Sequence, residues 1–503
     1  MFFGLIPYFW LSHMAVNPIK RLAGETAIYG LGTIVPRLLN YFLVPFYTRI
    51  FDQNAYGQIT ELYAWVAIVM VLLTYGMETA FFRYANMDKN PKKVFNTATS
   101  SLLITSFLFV FLVILFLQDI SAAIRYSGNS EYIMILAVIV ALDAFTSLPF
   151  AYLRYQNKAK RFSLIKITGV LVNIFLNFLF LLIIPRYFSE VANNWGIYQH
   201  YNLIIFVFIA NLLSSLTALL LLIPELRAFR INIDKELLRK LLAYGLPILV
   251  IGLAGMINEV SDKILLKYLL PPDVDAQAQI GVYGANYKLA ILMTLFIQMF
   301  RYAAEPFFFA ESGKKDAKAT YSQVMTYFVL FTLLIFLGVT LYIDFFKYFI
   351  GPKFWAGLMI VPIILAAKLF LGVFYNLSVW YKLTNKTLYG AVIAITGAII
   401  TITLNIILIP KYGYLGSAWA NFFCYLSMMI VSYFWGRKIY PIRYQIKKIG
   451  AYTLLAALIY YVSTVIHAES KLITFVFHSG LLLFFAAVVF FIEKRALTRR
   501  NIT

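Results

Sequence analysis

Charged residues are scarce in this sequence. Asp, Glu, Lys and Arg make up 13% of its 503 residues, against about a quarter in an ordinary soluble domain, and 62% are hydrophobic. That composition excludes a soluble globule. Many segments reach the roughly 20 apolar residues needed to cross a hydrocarbon core, which predicts an all-α integral membrane protein. Cysteine is nearly absent: Cys424 stands alone inside an apolar run, so neither an intramolecular disulfide nor a cysteine-rich metal centre is expected. The four histidines, His13, His200, His467 and His478, are scattered without metal-ligand spacing, and no metal or other cofactor is expected.

Long polar loops are lacking too. The longest connections, around Pro185 to His200 and Leu270 to Ile280, leave no room for a folded catalytic domain. No nucleophile stands beside a base, no Gly-rich phosphate loop occurs, and nothing suggests ATP hydrolysis, so the chain does not read as an enzyme. Acidic residues number 22 against 43 basic ones, a formal charge of +21. The Lys and Arg residues fall in short clusters between apolar runs and form no single basic face, which points to membrane topology and away from nucleic acid.

What is present is a series of about fourteen apolar spans, with Lys and Arg concentrated in alternate connections so that both termini are expected in the cytoplasm. The apolar stretch before Met14 has no positive charge ahead of it and is short for a span. This argues against a secretory signal and suggests translation from Met14. The spans predict a segment at 1–24, a six-helix lobe at 25–223, a cytoplasmic linker at 224–239, a second six-helix lobe at 240–435, and two further helices with a basic tail at 436–503.

The two lobes read as a duplication. At one near-constant offset Tyr56-Gly57 matches Tyr283-Gly284, Tyr75 matches Tyr302, Glu78 matches Glu305, Asn157-Lys158 matches Asn385-Lys386, and Asn177 matches Asn405. Ile184-Pro185-Arg186-Tyr187 returns as Ile409-Pro410-Lys411-Tyr412. An even number of helices per copy keeps the same orientation, so the expected arrangement is two pseudo-symmetric bundles facing a cavity, suited to alternating access.

A charge inside a span costs roughly 3 kcal/mol and normally faces a cavity or a partner. Helical spacing puts Thr33, Arg37 and Asn40 on one face and Thr294, Gln298, Arg301 and Glu305 on another. Arg301 and Glu305 are thereby within pairing reach. Lys288 and Lys368 are also embedded, as are Glu78, Asp143 and Glu259. Arg37, Asn40, Lys288, Gln298, Arg301 and Lys368 are candidates for substrate contact, since basic groups hold phosphates or acidic sugars. Glu78, Asp143, Glu259 and Glu305 are candidates for coupling to H+ or Na+. Structural ion pairing is the competing reading for both sets. Lys166, Asn173 and Asn177 form a stripe suited to hydrogen bonds between helices, and Asp262-Lys263 reads as a pair or cap at the interface. Pro36, Pro45, Pro149, Pro247, Pro306 and Pro362 interrupt spans, as static kinks or as hinges.

The stretch Gly32-Thr-Ile-Val-Pro-Arg37-Leu-Leu-Asn40-Tyr-Phe-Leu-Val-Pro45-Phe-Tyr-Thr-Arg49, followed by Tyr56-Gly57, resembles the opening of the polysaccharide (O-antigen) flippases of the multidrug/oligosaccharidyl-lipid/polysaccharide exporter (MOP) superfamily. Gly413-Tyr-Leu-Gly416-Ser417-Ala418 is similar to that superfamily's Gly-x-x-Gly-Ala-Ala signature. The resemblance implies translocation of a polyprenyl-linked oligosaccharide from the inner to the outer leaflet of a bacterial inner membrane, serving O-antigen or lipopolysaccharide synthesis, with a polysaccharide polymerase as a further partner. It also implies that the glycan and diphosphate pass a cavity holding Arg37, Lys288, Arg301 and Lys368. A multidrug antiporter or a peptidoglycan-precursor flippase of the same superfamily, and a membrane-embedded glycan polymerase, are the alternatives.

Overall fold

The computed structural model describes residues 32, 34–188, 190, 198, 202–227, 229–466 and 470–500. Met14, Thr33, His13, His200 and His467 lie outside them, as does the start of the first expected span. The described residues are 87% helical, with no strand among them. The main helices are α1 (Leu43–Ile50), α2 (Gln53–Thr74), α3 (Met77–Met87), α4 (Pro91–Leu115), α5 (Ser130–Tyr155), α6 (Ala159–Phe178), α7 (Ile204–Leu221), α8 (Lys235–Leu269) and α9 (Ala276–Leu289). They continue with α10 (Ile291–Glu311), α11 (Ala317–Leu341), α12 (Val361–Leu377), α13 (Val379–Leu383), α14 (Thr387–Tyr412), α15 (Tyr414–Ile439), α16 (Ile446–Val465) and α17 (Lys471–Arg500).

Twelve helices among the described residues are long and apolar enough to cross a membrane, and the count is thirteen if α9 and α10, bent by 52° at their junction, are taken as one span. The protein is a multi-pass membrane protein. Pro149, Pro247, Pro306 and also Pro410 lie inside helices. Pro362 lies within the span Pro352–Leu383 where a 3-10 segment passes into α12, and in the first turn of α12 its missing N–H has no α-helical partner to lose.

The chain divides into two compact units, one of Met1–Tyr41 with Leu73–Leu246, the other of Phe42–Leu72 with Pro247–Thr503. One border therefore falls inside α8, at Pro247, and the second unit draws α1 and most of α2 from the early chain. In the first unit, Phe150, Leu153, Phe162, Ile165 and Leu222 form a core where α5 and α6 meet the end of α7. In the second, Leu371, Phe374, Ile393, Cys424 and Met428 knit α12, α14 and α15 together.

Close approach of backbones explains two glycine motifs. A Cβ at Gly57 would stand 1.9 Å from the Gln277 carbonyl oxygen, and one at Gly281 2.0 Å from that of Gln53, so α2 and α9 cross main chain to main chain. Gly413, with φ +56, makes the corner between α14 and α15, and a Cβ at Gly416 would lie 2.5 Å from the Leu408 carbonyl oxygen. The Gly-x-x-Gly spacing thus serves a left-handed corner and a close return of α15 onto α14.

Candidate functional site

A cavity of about 480 Å³ opens within the second unit, its wall carrying Glu259 from α8, Arg301 from α10, Tyr375 from α12, Tyr381 and Lys382 from α13, and Tyr425 from α15. Apolar residues Ile251, Leu371, Phe374 and Met428 complete much of the lining. In an environment of low dielectric, each charge here must be answered by a partner or by whatever enters.

Glu259 is answered from behind. Lys368 on α12 donates to its two carboxylate oxygens at 2.6 and 2.7 Å, the Tyr287 hydroxyl donates at 2.9 Å and that of Tyr425 at 3.0 Å. The ammonium also faces the Tyr287 and Tyr425 rings, 4.9 and 5.6 Å from their centroids. Lys368 is only 2% exposed, whereas the Glu259 side chain is 37% exposed, so the acid reaches the cavity and the base stands behind it. One turn further along α8, Asp262 accepts from the Tyr283 hydroxyl at 2.6 Å, the Asn421 amide at 2.7 Å and the Lys263 ammonium at 3.0 Å. Asp262 and Lys263 do pair, and Asp262 is buried where Tyr283 and Asn421 arrive from α9 and α15 to satisfy it.

Arg301 does not pair with Glu305. Glu305 is engaged by Lys382 at 2.7 Å, and Arg301 lays its guanidinium over the Tyr375 ring at 4.0 Å from the centroid. This leaves a planar, five-donor cation in the wall of the cavity, stacked on an aromatic face. Lys288, exposed near the end of α9, interacts electrostatically with Glu259, Lys263 and Lys368. Gln298, half-buried, lies one turn before Arg301 on α10.

The remaining candidates belong to the first unit. Arg37 and Asn40 are exposed, and Asn40 accepts a long hydrogen bond from Asn173 at 3.4 Å. Asn177 donates to the Asn173 carbonyl oxygen at 2.8 Å, so part of that polar stripe serves its own helix. Asp143 shares a hydrogen bond with Ser215, with Lys166 as a neighbouring charge whose ammonium lies 3.8 Å from the centre of the Phe150 ring. Glu78 pairs with Arg154.

Sequence reasoning missed the most deeply buried ion pair. Glu61, fully buried on α2, accepts from Lys267 of α8 at 3.0 and 3.1 Å and from Gln277 of α9 at 2.7 Å. It also missed the cavity tyrosines, which read as ordinary aromatic content. The symmetric spacing did carry a usable signal: Lys382 precedes Asn385 as Arg154 precedes Asn157, so the offset that matches Glu78 with Glu305 also matches their partners.

This all-helical fold is shared with solved transporter structures. The chain overlays a solved structure of the lipid II flippase MurJ in an inward closed conformation with a TM-score of 0.66 at 14% identity, covering 92% of this chain and 99% of that one. It overlays an outward-facing multidrug resistance MATE family transporter of the MOP superfamily with a TM-score of 0.58 at 15% identity, covering 84% and 96% respectively. No curated protein sequence matches the chain significantly. The polysaccharide biosynthesis protein family matches residues 22–312, more than half of the chain, and the protein belongs to that family.

Proposed function

We propose that the protein is a flippase that moves a polyprenyl diphosphate-linked oligosaccharide from the inner to the outer leaflet of the bacterial inner membrane by alternating access, for surface polysaccharide such as O-antigen. The observation that carries this reading is Arg301: a guanidinium in the wall of a roughly 480 Å³ cavity, held by an aromatic ring while the nearby acid is engaged by Lys382. Such a group binds a phosphate bidentately, and the tyrosines beside it offer flat faces to sugar rings. Family membership supports polysaccharide biosynthesis as the setting.

Within this reading Arg301 contacts the diphosphate, and Gln298 and Lys288 extend the polar track along α9 and α10; Arg37 and Asn40 of the first unit are further candidates for cargo contact. Lys368 acts through Glu259. Among the acids, Glu78, Glu305 and Glu259 are engaged by basic side chains. Asp143, hydrogen-bonded to a serine, is the best placed to exchange a proton or a sodium ion. The bilayer holds the polyprenyl tail, and a polysaccharide polymerase consumes the product.

The test is to delete the gene in its host, separate polyprenyl-linked oligosaccharides by leaflet, and complement with wild type, Arg301→Ala or Arg37→Ala. Build-up of an inward-facing glycolipid with loss of surface glycan, restored by wild type and not by Arg301→Ala, is expected. Normal surface glycan with new sensitivity to cationic drugs would overturn the reading. One observation favours that second reading, export of organic cations: Glu259 does reach the cavity.

A further inference from the structure

A carboxylate at the wall of an apolar, tyrosine-lined cavity is the chemistry that binds a lipophilic cation, by charge and by ring faces together. Glu259 stands among Tyr375, Tyr381 and Tyr425 in this way. Yet both of its oxygens already hold the Lys368 ammonium, which approaches from the protein interior and is absent from the cavity wall. The wall therefore shows a neutralised carboxylate, while Arg301 keeps its charge toward the cavity.

We propose that Lys368 is a specificity-determining residue: it masks a latent organic-cation site at Glu259 and so turns the cavity toward anionic cargo. The burial of the pair is lopsided in a way that matters. Removing Lys368 leaves Glu259 partly exposed to the cavity and still hydrogen-bonded by the Tyr287 and Tyr425 hydroxyls. Removing Glu259 strands an ammonium that is 2% exposed. The lysine can thus be replaced at modest cost to the fold, and the site it covers becomes open to an external cation of similar charge.

The experiment uses the full-length protein purified in detergent, with tetraphenylphosphonium as the probe and a thermal melt to verify folding. Wild type and Lys368→Arg are expected to bind weakly and alike. Lys368→Gln is expected to bind at least about tenfold more tightly, the effect of one unmasked charge at close range. Lys368→Gln/Glu259→Gln should return to the wild-type level. Lys368→Met, which keeps the apolar stem, carries the same expectation as Lys368→Gln and covers the case in which that variant fails to fold. A folded Lys368→Gln or Lys368→Met without tighter binding overturns the proposal, as does a gain that survives in the double variant. The inference rests on the proposed cargo cavity, but binding is scored without cargo. A deletion strain with normal surface glycan would therefore sink the flippase reading and leave this result to be judged separately.

Discussion

The two units share a set of local devices and differ in what they bury. Asn157 and Asn385 both adopt φ +55 at equivalent helix ends. The next residue closes each end with the same bond, Lys158 N–H to the Leu153 carbonyl oxygen at 2.9 Å and Lys386 N–H to the Tyr381 carbonyl oxygen at 2.8 Å. Glu78–Arg154 and Glu305–Lys382 are equivalent ion pairs, and Asn177 and Asn405 each bond the carbonyl oxygen one turn earlier. By contrast, the clusters around Glu259 and Asp262 are built on the second copy, and at the repeat offset Glu259 falls on or beside Gly32 and Lys368 on Val140 or Ala141, while the buried Glu61 of the first copy is answered by Lys267 of the second. Features present in both copies belong to the architecture that was duplicated. Features confined to one copy are where chemistry was added, or where it was kept only once.

That contrast can be broken in order of expected effect. Glu61→Gln should cost the most, about 3–5 kcal/mol, because it takes the carboxylate from a buried ammonium. A thermal melt of the detergent-purified protein reads it, and a loss under 1 kcal/mol would show that the second unit's buried charges are not structurally distinctive. Asn157→Ala and Asn385→Ala should each cost about 1 kcal/mol, because alanine resists the left-handed conformation, with Gly at either position neutral or better. Unequal losses at the two sites would weaken the equivalence of the copies. Glu78→Gln and Glu305→Gln, on partly exposed pairs, should each cost less than about 1 kcal/mol. A transport defect in one and not the other would move that acid out of the shared scaffold.

The smallest effect is expected at Asp234, outside the spans, whose carboxyl is held below its ordinary pKa by the Leu237 backbone N–H and then by Lys93. Its folded-state pKa is depressed, so its contribution is present above the unfolded value and fades as pH falls through the folded one. Asp234→Asn should lower the melting temperature slightly at neutral pH and not at all in strong acid. The same small drop at both pH values would mean the capping geometry matters and the charge does not.

Much of this could be read from the residues in order. Apolar runs mark the spans, and the Asn-Lys and Glu matches mark the duplication, because both signals are local or periodic. The pairings were harder to see. Arg301 and Glu305 share a helix face, yet Lys382 reaches the acid first, since α13 brings a cation that spacing along α10 cannot anticipate. The Asp262-Lys263 pair is legible, but nothing nearby in sequence announces Tyr283 and Asn421 as its further partners. Pro362 marks an irregular point in its span as expected, but the change there from a 3-10 segment to α12 is not legible in the sequence.

The border of the second unit has a consequence for biosynthesis. Glu61 enters the membrane with α2, but the lysine that answers it is 206 residues further along the chain. At roughly 5–20 residues per second of synthesis, α2 waits on the order of 10–40 s for its partner. The second unit is therefore discontinuous in the chain, and its earliest segment meets the rest of that unit only after the intervening residues 73–246 have been made.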